Sequence, residues 1–128
     1  MNPAKRILIV HADAPVRRVL VMLLAEAGLA VRAEVPRDQV VEAVSGQRFD
    51  LALIGHCSDM KDTDGFVMAS RLRQKRKDLP VVMLCPELEL ALVVLGIREG
   101  LTDVLPWQGD ACDACLRYWA SMRVVGKR

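Results

Sequence analysis

DLALIGHCSDMKDTDG, residues 50–65, decides how the rest of the chain is read. After Asp50 an apolar run of strand length, LALI, stops on Gly55, and a loop rich in aspartate leads to Asp64-Gly65, where a helical pattern begins. A strand that is apolar throughout, rather than at every second residue, is buried on both faces. This is the mark of a parallel sheet covered by helices. In such sheets side chains that do chemistry gather just beyond the carboxyl ends of the central strands. Gly55 holds that position here and brings no side chain to it.

Working outward from this unit, short apolar runs alternate with amphipathic stretches five times, the pattern of βα units. The strands are expected at RILIV (6–10), LAVRAEV (29–35), DLALIG (50–55), PVVMLC (80–85) and DVLPW (103–107). The first helix opens at Pro15, a favourable first helical residue, turns Val16, Leu20, Leu23, Leu24 and Ala27 to one face, and closes at Gly28. The second, about 37–46, buries Val40, Val41 and Val44. The third runs from the cap Asp64-Gly65 to about Lys77 with Phe66, Ala69 and Leu72 inward. Two more follow at about 87–99 and 110–125. No repeat, linker or low-complexity stretch divides the chain, and 128 residues suit a single domain over 1–128 with one sizeable core.

Composition narrows the classes of function. Apolar residues make up 52% and aromatics 4%, so aliphatic side chains must fill the interior of a globular protein. Lys5 and Arg6 precede an apolar run too short for a signal-peptide core, and the longest run, LALVVLGI at 90–97, is too short to cross a membrane. A soluble, cytoplasmic protein is expected, with Cys57, Cys85, Cys112 and Cys115 as free thiols. A net charge of +2 gives no case for nucleic-acid binding. The basic cluster RLRQKRK (71–77) falls in the last turns of a helix, where cations complement the helix dipole.

ILIVHADAPVRRVL, FDLALIG with a later DGF, LPVVMLCP and IREGLTDVLPW stand in the order and at nearly the spacings of the receiver domain of bacterial response regulators, and the chain resembles that family over nearly its whole length. The resemblance implies a flavodoxin-like, three-layer α/β/α fold: a doubly wound five-stranded parallel sheet of order 2-1-3-4-5 with five helices. It also implies a place in two-component signalling (a phosphorelay), in which receivers take a phosphoryl group from a histidine kinase onto an aspartate at the end of the third strand. Two acidic residues after the first strand help hold magnesium there. A hydroxyl after the fourth strand and a lysine after the fifth bind the phosphoryl oxygens.

Carried onto this chain, those roles fall on residues that cannot perform them. The acidic pair falls on His11 and Ala12, leaving Asp13 one place later; the acceptor falls on Gly55, the hydroxyl on Cys85, the lysine on Trp107, and the aromatic of the fifth strand on Val104. The expectation is a pseudo-receiver that is not phosphorylated, uses no cofactor, catalyses nothing and acts through protein partners, either a signalling protein or a fused output domain. Asp59, Asp62 and Asp64 lie in a loop about two residues longer than the family's, and a flexible loop carboxylate there has neither the metal nor the site lysine that an acceptor needs beside it. A calcium loop is excluded because Met60 stands at the first ligand position and Arg71 at the closing one. Trp107 is expected to fill the vacated pocket as a plug, its indole N–H meeting a backbone acceptor.

A second class of function competes. His11, His56, Cys57 and Cys85 all fall at the carboxyl ends of neighbouring strands; imidazoles and thiols suit zinc or a similar soft ion, and such a rim could serve a metal, thiol-redox or small-ligand sensor. Burial of the cysteines as small apolar residues is the preferred explanation, and predicts a rim that binds no metal and an unreactive Cys85. CDAC (112–115) lacks the strand-then-helix setting of a redox pair, and Cys115 shares a face with Trp119 and Met122 as core.

The fourth helix is apolar nearly all round. Leu90 or Ala91, Val94, Ile97 and Leu101 are expected to pack on the sheet, leaving Leu88, Leu92 and Leu95 as an outer stripe. Such a stripe marks a contact site. Receivers often dimerise through the fourth helix, fifth strand and fifth helix, so the resemblance implies a homodimer through Leu88, Leu92, Leu95 and Val104.

Overall fold

A computed structural model of the chain describes residues 5–55, 65–85, 90–98 and 100–106. Within them the order is β1 (Arg6–Val10), α1 (Ala14–Glu26), β2 (Ala30–Glu34), α2 (Asp38–Ser45), β3 (Leu51–Gly55), α3 (Gly65–Lys75), β4 (Val81–Cys85), α4 (Leu90–Arg98) and β5 (Asp103–Pro106). The strands form one parallel sheet of order β2-β1-β3-β4-β5. The helix read at 110–125 lies outside the described residues.

The alternation of side chains along each strand divides the core into two layers. On one face Ile7, Ile9, Leu51, Leu53, Val82 and Leu84 join Leu20 and Leu24 of α1. On the other, Leu8, Val10, Ala52, Ile54, Val81, Met83 and Cys85 meet Val40, Val41 and Val44 of α2 and Phe66, Ala69 and Leu72 of α3. These helix faces are the ones that the periodicity of α1, α2 and α3 predicts. The two faces explain why the central strands are apolar at every position, whereas β2, at the edge of the sheet, has no fully buried residue.

Glycine ends two of the helices. Gly28 and Gly100 adopt left-handed φ angles of 86° and 78°. In each case the glycine N–H bonds three residues back, to Ala25 or Ile97, and the next N–H bonds five residues back, to Leu24 or Gly96. This double closure satisfies the last carbonyls and turns the chain into the following strand.

α4 departs from expectation. Leu90, Val94 and Ile97 are 79%, 45% and 72% exposed, so the stripe expected to pack on the sheet faces outward. The inner face is instead set by Gly96, which is buried so closely against β5 that a Cβ there would lie 2.5 Å from Val104 Cγ2. A helix without polar residues offers no pattern to set its phase; the glycine, by allowing close approach, does. Leu95 borders the outer stripe at 36% exposure. Leu101 packs against the core as expected. Leu88, and the side chains of Ala91 and Leu92, lie outside what is described.

Candidate functional site

Parallel strands that leave β1 in opposite directions, to β2 on one side and β3 on the other, open a crevice at the carboxyl ends of β1 and β3. Val10 pairs with Ile54, so the next residues in register are His11 and Gly55. The imidazole lies over the glycine: a Cβ on Gly55 would fall 2.1 Å from His11 Cδ2, 2.6 Å from Nε2 and 2.8 Å from Cγ.

His11 is held from several sides. Its backbone N–H donates to the Glu34 carbonyl at 3.1 Å, and its Nδ1 accepts from the Asp13 N–H at 3.0 Å. With Nδ1 as acceptor, the neutral ring carries its proton on Nε2. Burial is the largest cause lowering the His11 pKa; the Arg17 cation lowers it further, and the Asp13 carboxylate opposes them. A histidine that resists protonation when folded loses stability as the unfolded chain takes up protons. Stability is therefore expected to be full above the ordinary histidine value of 6.5 and to fall as pH drops below it. Denaturation curves measured on both sides of that value should show a steeper loss for the parent than for His11→Gln.

The turn after β1 is closed by its own residues. Arg17 Nη1 donates to the carbonyls of His11 at 2.6 Å and Ala12 at 3.0 Å. The Asp13 carboxylate caps α1, accepting from the Val16 N–H at 3.5 Å. Cys85, at the end of β4, is fully buried, and burial pushes its thiol up to about 11. At neutral pH roughly one molecule in ten thousand would then carry a thiolate. Peptide mapping after brief alkylation is expected to find Cys85 unlabelled in the folded chain and labelled in denaturant.

Among the described residues no three of His, Cys, Asp and Glu come together as a metal site. His56, Cys57, Trp107, the aspartates at 59, 62 and 64, and the CDAC pair lie outside the described residues. The helix-end basic cluster is spent on internal contacts. Arg73 donates to the Leu79 carbonyl at 3.3 Å, Arg76 to the Gln47 carbonyl, and Lys75 pairs with Glu42 at 3.5 Å. No helix among the described residues is long and apolar enough to cross a membrane.

Comparison with known proteins places this geometry. A family model, the response regulator receiver domain, matches residues 7–111. The chain is 30% identical over 108 residues to the DNA-binding transcriptional regulator NtrC of Escherichia coli K12, covering 83% of this chain and 22% of that protein. It is 29% identical over 118 residues to the transcriptional regulatory protein ResD of Bacillus subtilis, covering 92% and 48%. The chain thus spans less than half the length of either relative. Among solved structures, the N-terminal receiver domain of RstA from Klebsiella pneumoniae superposes with a TM-score of 0.80 at 21% identity, covering 94% of this chain and 99% of that one. That likeness concerns the fold alone.

Proposed function

The chain belongs to the response regulator receiver domain family, and we propose that it is a receiver-like module of two-component signalling that takes no phosphoryl group and works through contact with other proteins. One observation carries the reading: Gly55 ends β3 beneath the His11 ring, so the place of an acceptor carboxylate is occupied by an imidazole.

The surroundings support it. The described residues at the end of β1 do not fit a divalent cation, which is held by carboxylates and other oxygens. Ala12 offers no side-chain donor, the Asp13 carboxylate is used as a helix cap, and the Arg17 guanidinium brings a positive charge into the same turn. Cys85 stands at the hydroxyl position as a buried thiol. Trp107, at the lysine position, has no charge to offer phosphoryl oxygens. A small phosphodonor with magnesium tests the reading by intact mass.

The surface that transmits is, in this reading, the outer face of α4 with β5. Leu90, Val94 and Ile97 recur one and two turns apart, Leu95 borders them, and Arg98 is the single charged residue of the helix. Val104 lies beneath, partly buried against Gly96 and the core, and supports the helix from its inner side. The partner is a second copy of the chain, meeting the same face about a two-fold axis. In a cytoplasmic setting such a dimer would pass its state to a separate signalling protein or to an output domain in a longer chain.

A further inference from the structure

We propose that His11 is an internal plug fitted to Gly55, closing the crevice between the ends of β1 and β3, so that position 55 tolerates no side chain while the His11 ring is in place. This rests on the reading that the site is silent to phosphate, and it concerns what keeps the site shut.

The fit is steric. Even a methyl group at position 55 would meet three ring atoms at 2.1–2.8 Å, closer than real side chains approach. One of the three is Cγ, the ring atom bonded to Cβ, so rotation of the ring about the Cβ–Cγ bond does not relieve that contact. Turning the whole ring breaks its hydrogen bond with the Asp13 N–H. Retreat of the strand is opposed by the His11 N–H to Glu34 bond and by the Arg17 guanidinium on the carbonyls of His11 and Ala12. The ring is thus trapped between a glycine that admits it and a turn that holds it. Its volume is the volume that any side chain from β3 would need at the switch point of the sheet.

A double-mutant cycle on the whole chain tests the pairing. Gly55→Ala alone is expected to lower the folded-to-unfolded ratio at least about tenfold, as overpacking does. In the His11→Ala background the same change is expected to cost less than about twofold. If Gly55→Ala prevents folding by itself, a folded His11→Ala/Gly55→Ala double variant supports the plug. Equal costs in the two backgrounds, or an unfolded double variant beside a folded His11→Ala, overturn it. A second measurement needs no variant: NMR of the parent should show dipolar contacts between the His11 ring protons and the Gly55 α protons, and their absence overturns the proposal. Neither readout depends on phosphate. A phosphorylated chain with a coupled pair would therefore sink the silent-receiver reading alone, and an unphosphorylated chain with additive costs would sink the plug alone.

Discussion

Leu90→Glu with Ile97→Glu is expected to give a folded monomer, abolishing the dimer proposed for the parent chain. Both side chains are largely exposed, at 79% and 72%, and neither supports the sheet. Substitution at such positions costs folding no more than about 0.5 kcal/mol. In a two-fold contact each carboxylate appears twice and must be taken from water without a partner, at several kcal/mol per charge. Association should weaken by roughly a thousandfold or more, equivalent to about 4 kcal/mol. Light scattering reads the mass and circular dichroism the fold. An unfolded double variant would mean that these residues are core, and a dimer that persists would place the contact elsewhere.

Gly55→Asp is expected to be strongly destabilised and to remain unphosphorylated. Its Cβ alone meets the His11 ring, an overpacking cost of about 1–3 kcal/mol, and its carboxylate must give up water to enter the crevice. The Arg17 guanidinium is bound to the carbonyls of His11 and Ala12. In the proposed reading, restoring the acceptor supplies neither the family's metal ligands nor its lysine, which would stabilise the transferring group. A single change that recovered phosphorylation would show that the remaining residues suffice.

The strands and the inward faces of α1, α2 and α3 were legible because each helix alternates apolar and polar residues. Val40, Val41 and Val44 could sit on only one side of α2, and Phe66, Ala69 and Leu72 on one side of α3. α4 was not legible in the same way. LALVVLGI has no polar residue to mark solvent, and the cue that mattered was Gly96, which reads as a weak helix former until β5 is seen against it. At the site, the sequence sets Gly55, Ala12 and Cys85 at the family's acceptor, metal-ligand and hydroxyl positions, which is the basis of the proposal that the site is silent. The covering of Gly55 by His11 could not be read there, because it depends on β1 and β3 being neighbours in register. The signal was nevertheless present: a large residue and a glycine fall opposite each other one step beyond the Val10–Ile54 pair. Sequence reasoning gave the part of plug to Trp107, outside the described residues, and left His11 as a candidate ligand.

The most direct test is the intact mass of the unmodified chain after prolonged incubation with acetyl phosphate and magnesium. With Gly55 at the end of β3 and His11 over it, the mass is expected to stay that of the untreated protein. A species heavier by one phosphoryl group, mapped to any aspartate of the chain, would contradict the account.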